Sequence, residues 1–280
     1  MEQFTLVGDT ALHYADSQRG EPCVVLLHGY LESLDVWDDF SLLLRKAGGY
    51  RTVSLDLPGH GISEVVGQIH TMDFLALTVK QLLDKLNIEK CVMVGHSMGG
   101  YAALAFAEHY PERLRGLALF HSTPNADTPE KAENRRREIE MVKAGRKELL
   151  SRVNPEKGFS VENRKRLSDL IESLSLQVML TEDEGITAVL EGMIARKDQQ
   201  EMFLKLPVPE LFVFGKQDEY IPTEAAEAIA ARHPQARLAW LEHSGHMGFE
   251  EEPQEACRIL TEFIDSLPGV ASRAKELPAE

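Results

Sequence analysis

At 280 residues, the chain is long enough for one large α/β domain with an insertion, and its 43% hydrophobic and 27% charged residues are the balance of an ordinary globular protein. A formal net charge of −15 sets the surface against nucleic-acid phosphates and anionic membranes, so neither is expected as a partner. No run of about 18 apolar residues is present, and "MEQFTLVGDT" lacks the basic-then-apolar pattern of a signal peptide. A reducing, cytoplasmic setting is therefore expected. Cys23, Cys91 and Cys257 are too far apart for a zinc motif or a disulfide framework, and are expected as small buried hydrophobes.

In chain order, "QFTLVG" and "TALHYAD" alternate in polarity and read as an opening antiparallel pair. "CVVLLHG", "RTVSLDLPG", "KCVMVG", "GLALFH", "PELFVFG" and "ARLAWLE" are more continuously apolar, the pattern of strands covered on both faces in a parallel sheet. Helices lie between them. Leu75, Val79, Leu82 and Leu86 form one helical stripe that stops near Asn87; another helix follows Ser97, one begins near Pro222, and the last runs from Pro253 to Leu267. The expectation is a mostly parallel eight-stranded sheet flanked by helices and built with right-handed crossovers.

The alternation stops between Ser122 and Leu206, where only helical periodicity is visible: Leu167, Leu170, Ile171, Leu174 and Val178 share one face, and Ile186, Val189, Leu190, Met193 and Ile194 another. We expect residues 1–121 and 207–267 to form the core domain, 122–206 a helical insertion, and 268–280 a frayed tail. The insertion holds 15 Lys+Arg against 16 Asp+Glu, a net charge of −1, whereas the rest of the chain has −14. Its "RRR" at 135–137 and "RKR" at 164–166 are expected as solvated faces. Attraction of the insertion to an acidic body, loosened by salt, is the sharper alternative. Arg196 is expected in a surface salt bridge rather than on an anionic substrate group.

Chemistry concentrates at the expected strand ends. Gly95-His96-Ser97-Met98-Gly99 fits G-x-S-x-G between a strand and a helix, the context of a serine presented on a sharp turn beside a helix N-terminus. A serine hydroxyl needs a base, and the base needs an orienting group. "GKQDEYIP" supplies Asp218 past one strand, with Glu219 as the spare carboxylate. "HSGHMGFEEEP" supplies His246 past the next, with His243 expected to end the strand itself. "LLHGYLES" ends a buried strand at His28-Gly29. The Tyr30 and Met98 backbone N–H groups are the candidate oxyanion donors.

With these segments and "DLPGHGIS" at 56–63, the chain resembles the α/β-hydrolase family from about Phe4 to Leu267. The resemblance implies that the insertion is a helical cap over the site and that Asp56 and His60 organise a loop rather than catalyse. Serine at the nucleophile position disfavours the epoxide hydrolases and haloalkane dehalogenases of that family, and Tyr30 after His-Gly disfavours the HGGG lipases. Trp37 is expected to pack the first helix.

The expected function is hydrolysis of an ester-like carbonyl of a small, partly apolar substrate. Ser97 is the nucleophile, His246 the base and Asp218 its orienting group, with no metal or organic cofactor required. Activity then falls in acid as His246 takes up a proton. C–C bond or lactone hydrolysis, cofactor-free peroxidase or acyltransferase chemistry, and small-ligand binding with little turnover are the alternatives. An apolar acyl or alkyl group is expected under the cap.

Overall fold

A computed structural model describes residues 2–270, and the residues of the expected tail from 271 on lie outside that range. The strands are β1 (Glu2–Val7), β2 (Thr10–Asp16), β3 (Cys23–Leu27), β4 (Arg51–Leu55), β5 (Cys91–His96), β6 (Leu114–Phe120), β7 (Glu210–Gly215) and β8 (Arg237–Leu241). They form one sheet in the order β1-β2-β4-β3-β5-β6-β7-β8. β1 pairs antiparallel with β2, and β2 antiparallel with β4; every later pairing is parallel.

The helices are α1 (Asp38–Gly48), α2 (Met72–Lys85), α3 (Met98–His109), α4 (Pro129–Lys143), α5 (Lys147–Gly158), α6 (Ser168–Leu180), α7 (Asp183–Ala195), α8 (Gln200–Phe203), α9 (Thr223–Arg232), α10 (Gly248–Glu251) and α11 (Pro253–Asp265). Alternate strand residues feed opposite cores. Val25, Leu27 and Met93 pack with α2, α3 and α9 on one face, while Val24, Leu26, Val92 and Val94 pack with α1 and α11 on the other. That double coverage is why the central strands are apolar throughout. β8 departs from expectation: it is an edge strand, partly exposed, with Leu238 on the surface, because only β7 borders it.

The α2 stripe is buried through Leu75, Val79 and Leu82, and Asn87 follows at φ 54°. All three cysteines are buried and free. Residues 122–206 carry α4 to α8 and no strand among the described residues. No described helix is long and apolar enough to cross a membrane.

Candidate active site

β5 runs directly into α3, and the junction is Ser97 at φ 49°, ψ −113°. A non-glycine residue in that region costs on the order of 1–3 kcal/mol, and the surroundings must hold it there. They do so by close packing. A Cβ on Gly99 would lie 2.3 Å from the Leu27 carbonyl oxygen, and one on Gly95 would lie 2.5 Å from Gly100 Cα. Only hydrogen fits at either point, which accounts for glycines on both sides of the serine. The turn aims Ser97 at the carboxyl edge of the sheet, into a cavity of about 370 Å³ that Tyr30, Tyr220 and His246 also line.

Asp218 follows β7, and its carboxylate is fully used. Oδ1 accepts the Tyr220 and Ile221 N–H groups at 2.7 and 3.0 Å. Oδ2 bonds His246 Nδ1 at 2.7 Å and His121 Nδ1 at 3.3 Å. Burial would raise its pKa, but the His246 charge and the two histidine hydrogen bonds outweigh burial and hold the carboxyl well below the ordinary range. Glu219, the spare carboxylate, pairs with Arg164 at 2.9 Å instead. His243 points outward, with its side chain 72% exposed.

His121 directly follows β6 and was not singled out in the sequence; its position just past a strand end was the available signal. Its Nε2 accepts the Gly248 N–H at 3.3 Å, so Nδ1 carries the proton given to Asp218. Burial pushes its pKa down to about 4, so it stays neutral at pH 7. His121, Asp218 and His246 have ligand atoms close enough for a metal ion. The His121 nitrogens, however, are both engaged in hydrogen bonds, so this is a carboxylate orienting two imidazoles rather than a free ligand set.

A second network lies beneath. Glu32 Oε2 accepts the Gly29 N–H at 2.7 Å and meets His96 Nδ1 at 3.0 Å; His96 Nε2 lies 2.9 Å from the His246 carbonyl oxygen. This ties the Tyr30 loop, the serine turn and the His246 loop together. The Tyr30 N–H has no acceptor among the described residues. Met98 is the first residue of α3, where N–H groups have no intrahelical partner. His28 fixes the same loop: Nε2 accepts the Leu57 N–H at 2.9 Å, and Nδ1 donates to the Gly29 carbonyl at 2.7 Å.

Asp56 is a loop organiser, accepting from Leu34 N–H, Ile62 N–H and His13 Nδ1 at 2.7, 3.0 and 2.8 Å. His60 is buried against the His28 and Tyr30 rings. Trp37 packs on Phe249 at 4.2 Å between ring centroids as well as on Phe40 of α1, so it also supports the His246 loop.

One expectation changes. Arg196 is not on the surface: its side chain is 6% exposed, pairs with Asp127 at 2.7 Å and stacks 3.8 Å from the Tyr101 ring centroid. The cavity lining is apolar over the larger part of its area, and it also carries charged side chains. Leu174, Val178, Met193, Ile221 and Met247 supply apolar lining, α4 contributes Lys131, Asn134, Arg135 and Glu138, and α5 contributes Asn154 and Lys157. Helical periodicity shows that the α4 residues share a face, yet not whether that face meets solvent or a cavity.

A family model described as the alpha/beta hydrolase fold matches residues 22–253. A 2-hydroxy-6-oxononadienedioate/2-hydroxy-6-oxononatrienedioate hydrolase of Pseudomonas putida is 30% identical, covering 91% of this chain and 92% of its own. A thermophilic esterase of Thermogutta terrifontis, solved with malate bound, superposes with a TM-score of 0.84 at 27% identity, covering 94% of this chain and 97% of its own. An enol-lactonase of Burkholderia xenovorans LB400 superposes with a TM-score of 0.85 at 23% identity, over 93% of this chain and 99% of its own.

Proposed function

The chain belongs to the α/β-hydrolase fold family, and on that footing we propose that it is a serine hydrolase working through an acyl-enzyme at Ser97. The observation that carries this reading is the strained Ser97, held at φ 49° in the wall of the same cavity as a histidine hydrogen-bonded to a buried aspartate at 2.7 Å. In the reaction, His246 Nε2 takes the Ser97 proton as Oγ adds to the substrate carbonyl. Asp218 keeps the other ring proton on Nδ1 and stabilises the imidazolium. The Tyr30 and Met98 N–H groups receive the oxyanion, a role whose loss typically costs about 3 kcal/mol. His246 then protonates the leaving group, and water releases the acid. The helical segment 122–206 acts as the cap, a reading supported by the residues that α4, α5, α6 and α7 contribute to the cavity that Ser97 lines.

An ester-like carbonyl is the first reading. A second is favoured by the Pseudomonas putida relative, whose named substrate is an oxo acid. Hydrolysis beside its ketone breaks a C–C bond, and the proton from His246 then goes to the leaving carbon. Neither chemistry requires a further group on the protein. The test is turnover by wild type and Ser97→Ala of p-nitrophenyl esters, acetate to decanoate, alongside a 2-hydroxy-6-oxodienedioate. Turnover of the esters alone by wild type supports the first reading, and preference for the oxo acid supports the second. Equal activity in Ser97→Ala overturns both.

A further inference from the structure

The helices of segment 122–206 bring three basic side chains to the cavity. Lys131 and Arg135 project from α4 and Lys157 from α5. Arg135 is only partly engaged: Nε and Nη2 hold Asp127 at 2.6 and 3.4 Å, and no hydrogen bond among the described residues uses Nη1. Asp127 is shared, because Arg196 Nη1 holds its Oδ1 at 2.7 Å. Two guanidinium groups on one carboxylate leave a positive charge over, in a place where the Asp127 side chain is 2% exposed. The Lys157 ammonium sits 4.5 Å from the Tyr220 ring centroid and its charge acts on Glu138, while Lys131 has no ion-pair partner among the described residues.

Three carboxylates share the lining, Glu32, Glu138 and Glu219, and Glu32 is held by His96 at 3.0 Å. Glu219 is neutralised by Arg164. Glu138 has a buried Oε2 without a hydrogen-bond partner among the described residues, and burial raises its pKa above the usual carboxylate range although the Arg135 and Lys157 charges pull it down. This cationic wall belongs to a molecule of formal net charge −15. General repulsion of anions is therefore reversed at one place, and low-dielectric walls concentrate the field there. A buried surplus cation is costly until an anion pairs with it.

We propose that this wall is a carboxylate-binding site for the end of the substrate remote from the carbonyl that Ser97 attacks, with the free Arg135 Nη1 as principal donor and Lys131 and Lys157 as supporting charges. A planar guanidinium is suited to a carboxylate, and its remaining N–H groups are already oriented by Asp127. The proposal rests on the hydrolase reading for which end of the substrate reacts, but not for the binding itself.

The experiment compares kcat/KM for the glutarate mono-p-nitrophenyl ester with that for the neutral p-nitrophenyl pentanoate. In parallel, melting temperature is measured with glutarate against sodium chloride of equal ionic strength. Wild type is expected to favour the anionic ester by roughly tenfold or more, the worth of one charged hydrogen bond. Arg135→Gln should abolish that preference and Arg135→Lys retain part of it. Since Arg135 also anchors Asp127, Lys131→Gln/Lys157→Gln serves as a second variant, expected to reduce the ratio. Glutarate should raise the melting temperature of wild type and Ser97→Ala but not of Arg135→Gln. No turnover of either ester, with that glutarate effect intact, would count against the hydrolase reading and support the site. Equal or better turnover of the neutral ester by wild type, with no glutarate effect beyond salt, overturns the site and leaves the hydrolase reading standing.

Discussion

His96 joins three loops, and counting its protons shows how. The His246 carbonyl can only accept, so Nε2 carries a hydrogen. Nδ1 faces the Glu32 carboxylate at 3.0 Å, and two bare acceptors would repel, so a second proton lies between them. Burial opposes charge on both partners, yet their attraction wins: His96 is raised and Glu32 lowered. The pair is complete between the two pKa values. It is lost as pH rises through the His96 value and as pH falls through the Glu32 value. Glu32→Gln keeps an oxygen that can accept from Gly29 and His96 but removes the negative charge that holds the second proton on His96. Breaking such a buried pair costs roughly 3 kcal/mol, and loosening both site loops should lower kcat by about 10- to 100-fold. Melting temperature and ester kinetics check this; wild-type values for both would contradict it. Ser97, Asp218 and His246 were legible because each sits in a short motif at a strand end. Glu32, His96 and His121 were not assigned these partners, since their bonds span 64, 150 and 97 positions that no local pattern links.

Among elements, the strands were legible from continuous apolarity, because both of their faces are covered. The order β2-β4-β3-β5 was not, because pairing depends on where each crossover lands. β7 begins with a buried carboxyl: Glu210 Oε2 accepts from Gln235 at 2.8 Å, while Oε1 has no partner among the described residues. Burial pushes its pKa up to about 7. A carboxyl raised in the folded state favours folding below its unfolded pKa, and that contribution is lost as pH rises through about 7. Glu210→Gln removes a charge that burial penalises. It should raise the melting temperature at pH 8 by roughly 2 °C or more, with the gap closing below about pH 4.5, where both states are protonated. A variant less stable than wild type at pH 8 would show that the carboxylate is satisfied in the fold. On α4, residues 131, 134, 135 and 138 share one helical face, whereas the sequence suggested only a solvated "RRR" at 135–137. The same spacing describes a solvated face, so its meeting with a cavity had to come from the tertiary structure.

Across the whole molecule, the insertion is fastened to the core less by net charge than by buried hydrogen bonds at the His246 loop. The Gly158 carbonyl accepts the His246 and Met247 N–H groups at 2.7 and 3.1 Å. Glu251, 4% exposed, accepts from Gly245 N–H at 2.7 Å, Ser160 N–H at 2.8 Å and Asn163 Nδ2 at 3.0 Å. Such bonds are little screened by salt. Arg136 and Arg137 pair with Glu133 along their own helix, as solvated residues do. Arg135, Arg164 and Arg166 instead reach Asp127, Glu219 and the Glu251 carbonyl. Nothing in a run of arginines distinguishes these fates.

Labelling with an alkyl fluorophosphonate, followed by intact mass and peptide mapping, tests Ser97 as the nucleophile. The expected result is one adduct per chain on Ser97, none on Ser97→Ala, and much slower labelling of His246→Ala. An unlabelled wild type, or an adduct that persists in Ser97→Ala, would contradict it.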